Sequence, residues 1–158
     1  MLFGMEHSRF WRIAAAGLVL AMAAAAFARA SSQQPTLEEL KERAANASAA
    51  ERPSLCIHIS ELQLDAADRF YVAGDSEQAK AALADVVAYS ELARDSAIQA
   101  RKHEKQSEIA IRKMAHKLAD LKHTVPHDDQ DQVQNTVDRL QTIRDDLLAA
   151  MFPKGVKK

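Results

Sequence analysis

The sequence predicts an all-α protein, and three observations carry that prediction. Beyond residue 35, apolar residues recur at three- and four-residue steps, the spacing that places them on one helical face. No segment shows the two-residue alternation of a half-buried strand. The chain has only four Gly and four Pro, and those beyond residue 30 fall where periodic segments begin or end. The expected architecture is a set of antiparallel helical hairpins sharing one long central helix. The alternative is a compact four-helix bundle, which requires a break near Arg101–Gln106.

The N-terminal thirty residues read as a secretory signal. Arg9 and Arg12 precede an apolar run from Ile13 to Phe27, and Ala28-Arg29-Ala30 is followed by polar Ser31-Ser32-Gln33-Gln34. A charged start, an apolar middle and an Ala-x-Ala exit are the three parts a signal peptidase substrate needs. The apolar run falls short of the roughly 20 residues needed to span a bilayer. Cleavage is therefore expected after Ala30, with Ala28 and Ala30 at the recognised positions and Ser31 as the new terminus; an uncleaved anchor is the alternative. The expected location is periplasmic or secreted. No Arg-Arg pair is present and Ser31 is not Cys, which argues against a twin-arginine route and against a lipidated terminus.

The remaining elements follow in order. Pro35-Thr36 opens a first helix, and Thr36 with Glu39 has capping-box spacing. Its stripe of Leu37, Leu40, Ala44 and Ala47 is thin, so this helix is expected to be short and weakly docked. Pro53 suits the first turn of a second helix. There Leu55, Ile59, Leu62, Ala66, Phe70 and Ala73 share a face, and Gly74 supplies the stop. Asp75 and Gln78 form another capping pair. From Ser76 to about Thr124 neither Gly nor Pro interrupts the chain, which implies a rod of about 70 Å. One heptad frame threads it: Ala79, Leu83, Val86, Ser90, Ala93, Ala97, Ala100, Glu104, Ser107, Ile111, Met114, Leu118, Leu121 and Val125. Pro126 ends the rod. Asp128 or Asp129 is expected to cap a last helix with a stripe of Val133, Val137, Leu140, Ile143, Leu147 and Met151, closed by Phe152-Pro153. The domain division is thus a signal at 1–30, a short helix and linker at 31–52, a helical domain at 53–152 and a basic tail at 153–158.

Around the turn between the second and third helices, Ala67, Phe70, Gly74-Asp75, Ala79 and Leu83 resemble one tetratricopeptide helical hairpin, over residues 63–89. The resemblance implies a close antiparallel helix pair, with small residues at positions such as Ala67 and Ala79 letting the backbones approach. It does not imply that family's peptide groove, which needs several stacked repeats. No whole-chain family is identified from the sequence.

Charge is distributed unevenly. Residues 36–100 hold six basic and twelve acidic residues, residues 101–123 seven basic and three acidic, and residues 124–152 two basic and six acidic. The basic segment is expected to face the acidic last helix. Arg101, Lys102, Lys105, Arg112, Lys113 and Lys117 are read as a solvated face paired with the chain's own acids, with a polyanion-binding strip as the alternative. The whole chain carries a formal net charge of −1, which argues against nucleic acid as its main partner.

Sites with resident chemistry are scarce. His123, His127, Asp128, Asp129 and Asp131 gather around Pro126, but the proline between the histidines keeps them off one helical face, so polar capping is preferred to metal binding. His116 is expected to be solvated and His58 half-buried. Met114 and Met151 are read as core filler rather than haem ligands. Cys56, the only cysteine, is read as a buried thiol, with an intermolecular disulfide as the alternative. Asn46-Ala47-Ser48 is a glycosylation sequon that matters only in a eukaryotic secretory host. No catalytic residue, metal or cofactor is expected. The expected function is an exported helical scaffold or protein-interaction module without catalytic activity, associating with a protein partner or itself through helical packing. A periplasmic small-ligand or metal-binding bundle and an adaptor or chaperone-like envelope protein are the alternatives.

Overall fold

The computed structural model describes residues 35–153, and the described residues form five helices: α1 (Leu37–Asn46), α2 (Arg52–Ala73), α3 (Ser76–Ala100), α4 (Glu104–Leu121) and α5 (His127–Met151). The described residues contain no strand, so the all-α class holds. The signal segment with Ala28, Ala30 and Ser31, and the tail from Lys154, lie outside the described residues.

Local sequence sets most helix ends. At α1, Thr36 and Glu39 form the full reciprocal capping box, Glu39 N donating to Thr36 Oγ1 and Thr36 N donating to the Glu39 carboxylate. Pro53 lies in the first turn of α2. Gly74 then takes the left-handed conformation (φ 77°) that closes α2, its N–H donating to Tyr71 O while Asp75 N donates to Phe70 O. The Asp75 carboxylate accepts from Gln78 N and starts α3.

The expected central rod is interrupted. The chain turns at Arg101-Lys102-His103, and two non-glycine residues there have positive φ: Arg101 at 51° and His103 at 63°. Arg101 N donates to Ile98 O and Lys102 N to Ala97 O, the same closure that Gly74 makes on α2. Each left-handed L-residue costs about 1–2 kcal/mol. Folding back offsets this many times over. It gathers Leu83 and Val86 of α3, Ile111, Met114 and Leu118 of α4, and Val133, Leu140, Ile143 and Leu147 of α5 into one buried cluster, where each large aliphatic side chain contributes about 1.5–3 kcal/mol. The heptad frame survives the turn: its positions from Ala79 to Ala97 and from Ser107 to Val125 are all buried, and only Ala100 and Glu104 at the corner are partly exposed.

Four helices form the bundle, and their ion pairs and hydrogen bonds give its register. Gln63 bonded to Asp85 and Ser60 beside Ser90 run α2 antiparallel to α3. Lys80–Asp129, Arg139–Glu91 and Arg94–Asp146 advance together, so α3 and α5 are parallel. Arg144–Glu108 and Lys122–Gln134 make α4 antiparallel to α5. Two antiparallel hairpins therefore lie side by side, with α3 against α5 and α2 against α4.

Two further expectations need correction. The buried face of α2 is Cys56, Ile59, Ser60, Gln63, Leu64, Ala67 and Tyr71, displaced from the expected stripe. The reason is that much of the face α2 turns to α3 is small or polar, Ser60, Gln63 and Ala67, which apolar periodicity does not mark, while α1 covers a further side. Leu55 and Leu62 pack at its α1 side, and Ala66 and Phe70 pack at the edge of the main cluster. Small Ser60 and Ser90 let α2 and α3 approach closely, and Ser60 Oγ satisfies itself on Cys56 O at 3.0 Å and Val86 O at 3.3 Å. The second correction concerns α1, which is firmly seated. Leu40 and Ala44 are buried with Cys56, Ile59 and Ala93, and the Arg52 guanidinium donates to Ala44 O and Ala47 O at the end of α1.

Candidate functional site

The most heavily charged surface among the described residues begins at the α3–α4 corner and follows the outside of α4. Between Gln99 and Lys117 the sequence holds six basic residues, Arg101, Lys102, Lys105, Arg112, Lys113 and Lys117, against Glu104 and Glu108. All six cations are exposed, because Ser107, Ile111, Met114 and Leu118 turn the opposite face of α4 into the core. Lys105, Arg112 and His116 follow one line along the helix, and Lys113 and Lys117 lie beside it. His103, also exposed, begins α4 without a side-chain cap.

The expected pairing of this face with α5 does not form. Asp129 and Asp146 of α5 instead meet Lys80 and Arg94 of α3, at 3.2 Å and 2.9 Å. Arg139 of α5 turns to Glu91 of α3. Across the α4–α5 contact the charges are reversed from expectation, with Glu108 of α4 accepting from Arg144 of α5 at 2.8 Å. Of the six cations, Lys117 pairs with Asp65 of α2 at 2.6 Å, and Arg112 approaches Glu108 at 3.6 Å. Arg101, Lys102, Lys105 and Lys113 have no acidic partner among the described residues.

The sequence reading missed Glu108. It is buried, and it anchors Arg144 and Arg112 beside a groove of about 320 Å³ between α4 and α5, lined also by His116, Val137 and Gln141. One signal was present: Glu108 falls three and seven residues before Ile111 and Ala115, on the inward side of α4. A second hollow, of about 290 Å³, lies beside α1 and is lined by Lys41, Ala44, Arg52, Cys56, Tyr89 and Leu92. Its polar groups are already engaged. Lys41 binds Asp85 at 3.0 Å, which raises its pKa above the ordinary lysine value, and lies 5.9 Å from the Tyr89 ring centre. Burial pushes the Cys56 thiol up to about 11, so at neutral pH it is protonated and a poor nucleophile. Cys56 has no exposed surface, in keeping with the buried-thiol reading.

The histidine and aspartate group near Pro126 does not converge. His123, His127 and Asp128 are exposed, whereas Asp129 is buried and held by Ser76 and Lys80. No group of three or more metal-ligating side chains occurs among the described residues. Helix α5 begins at His127 with Pro126 as its cap residue, so Asp129 makes a tertiary contact rather than the expected cap. His58 is exposed rather than half-buried, and His116 is exposed as expected. Met114 is buried in the main cluster. The Gly74-Asp75 hairpin has the close geometry that the tetratricopeptide resemblance implies, with Ala67 and Ala79 both fully buried. No family model, curated protein or solved structure matches the chain.

Proposed function

We propose that the chain is an exported, non-catalytic helical interaction module of the cell envelope, and that it meets an anionic partner through the outer face of α4. The observation that carries this reading is the exposed set Arg101, Lys102, Lys105 and Lys113, which finds no acidic partner among the described residues, while Asp129 and Asp146 of α5 pair with α3. Lys105 and Lys113 on α4, with Arg101 and Lys102 in the turn before it, present unpaired positive charge that an anionic partner would neutralise. Export rests on the pattern of Arg9, Arg12, the apolar run and Ala28-Arg29-Ala30. Self-association through helical packing is the second reading; the first is preferred because the large apolar stripes of the described helices are buried in the bundle.

The test is binding of soluble inorganic polyphosphate to the wild type and to the double variant Lys102→Glu/Lys113→Glu. Binding by the wild type is expected to weaken steeply as salt rises, and the variant is expected to lose on the order of tenfold or more in affinity. Salt-independent binding, or equal binding by both proteins, would overturn the reading.

A further inference from the structure

The corner between α3 and α4 carries an exposed aromatic residue as well as charge. Phe152, at the end of α5, is 72% exposed. Its level in the bundle follows from the parallel register of α3 and α5. Arg94 meets Asp146 at 2.9 Å, and six residues further along each helix are Ala100 and Phe152. At about 1.5 Å per residue both advance by roughly 9 Å, so Phe152 stands level with the turn Arg101-Lys102-His103. The antiparallel pair of Arg144 with Glu108 agrees, because it puts the last two turns of α5 beside and beyond the start of α4. Arg101, Lys102 and Lys105 are exposed at this same end. The opposite end, at the Gly74 and Pro126 turns, carries Asp75, Glu77 and Asp128 as exposed acids. At the ring's end Asp95 and Asp146 pair with Arg94 and Asp145 with Arg144, which leaves Arg101, Lys102 and Lys105 beside the acid Glu104, whereas the opposite end is acidic.

A ring exposed at the same level as three unpaired cations fits a bilayer interface better than a protein groove. Phenyl side chains gain by entering the headgroup region, and lysine and arginine gain from the negative potential of anionic lipids. A protein partner would need an apolar interface core, but beyond Phe152 the exposed large hydrophobics, Val72 and Leu92, are scattered singly elsewhere. We infer that the Arg101–Lys105 corner and Phe152 form a peripheral docking site for a bilayer rich in anionic phospholipid, the ring entering the interface and the cations meeting lipid phosphates. This deepens the proposed function, since it names the anionic partner of the α4 face.

The experiment is co-sedimentation of the full chain with vesicles of phosphatidylglycerol and phosphatidylcholine, and with vesicles of phosphatidylcholine alone. Comparing variants at matched lipid cancels any contribution of residues 1–34, which all of them share. At low ionic strength the wild type is expected to bind the anionic vesicles. At about 0.5 M salt, where the Debye length is roughly 4 Å, the electrostatic part of the binding is expected to be lost. Each unit of charge near an anionic surface is worth about fivefold in binding, so Lys102→Glu/Lys105→Glu, a change of four units, is expected to lower partitioning by about several hundredfold. Phe152→Ser is expected to lower it on the order of tenfold, with little change in salt dependence. Equal partitioning of the wild type and both variants would overturn the inference. So would binding of polyphosphate by the wild type with no difference between the two vesicle types, a result that leaves the proposed function standing. Failure to bind either polyphosphate or anionic vesicles would remove both.

Discussion

Asp129 lies in the first turn of α5, 3% exposed, and its two carboxylate oxygens take the Ser76 hydroxyl at 2.6 Å and the Lys80 ammonium at 3.2 Å. The Ser76 hydrogen bond, aided by Lys80 and opposed by burial, holds its pKa below the usual carboxylate value. A depressed carboxylate contributes stability that is complete above its unfolded pKa and is lost as pH falls through the folded one. Acid titration of thermal stability should therefore show a loss beginning near pH 4, and Asp129→Asn should shrink that loss. At neutral pH the same variant should lower stability by about 1–2 kcal/mol, because Lys80 and Ser76 lose a charged partner. A titration unchanged by the substitution would refute the assignment. Tyr71 nearby is the opposite case. Its hydroxyl is buried without a partner, and burial, with the Asp129 charge, raises its pKa. Tyr71→Phe removes an unsatisfied polar group, and chemical denaturation should find it neutral or slightly stabilising. Neither role was legible in the sequence, which placed Asp129 in a loop cluster with His123 and His127. The partner Ser76 lies fifty-three positions away, and no local pattern links the two residues.

At the scale of elements, the α2–α3 and α3–α4 corners close their helices with the same pair of backbone hydrogen bonds. One uses Gly74 in the left-handed conformation and the other uses Arg101. Only the first was readable, because glycine announces that conformation and arginine does not. Periodicity gave no warning either, since one inward stripe serves a straight helix and a folded-back pair equally well. The stripes of α3 and α4, and that of α5 as far as Leu147, were read correctly because most of their buried positions are apolar, whereas Met151 at the end of α5 is only partly buried. The stripe of α2 was misplaced because its buried face includes Ser60, Gln63 and Ala67, small or polar residues that an apolar pattern passes over. The shared corner geometry makes opposite substitutions informative. Arg101→Gly relieves left-handed strain, less the added freedom of the unfolded chain, and should raise stability by about 0.5–1 kcal/mol in denaturant titration. Gly74→Ala should lower it by about 1 kcal/mol through backbone strain alone, because a Cβ there meets nothing within 4 Å. If Arg101→Gly destabilised the protein, the left-handed turn would not be its ground state.

Over the whole bundle, the same turn decides which surface is left for partners. A straight helix from Ser76 to Thr124 would have left apolar stripes open and made helical self-association the natural function. With the turn at Arg101–His103, α4 returns along the bundle, and Leu83, Ile111, Leu118, Leu140 and Leu147 share one cluster. Burying the apolar surface internally leaves charge as the main feature facing outward, and three cations without an ion-pair partner, Arg101, Lys102 and Lys105, gather at the α3–α4 corner. This part of the candidate site was half legible. The six cations could be read from the sequence, but their lack of partners depended on α5 lying parallel to α3 and giving its acids to Lys80 and Arg94. Small-angle scattering tests the fold on which this rests. Residues 36–158, folded as described, should scatter as a monomer with a radius of gyration of about 14 Å. An uninterrupted rod of about 70 Å would give a clearly larger radius and a long-tailed distance distribution. That result, or a concentration-dependent dimer of the same segment, would return the apolar stripes to the surface and make helix pairing, rather than the cationic corner, the means by which this chain meets its partners.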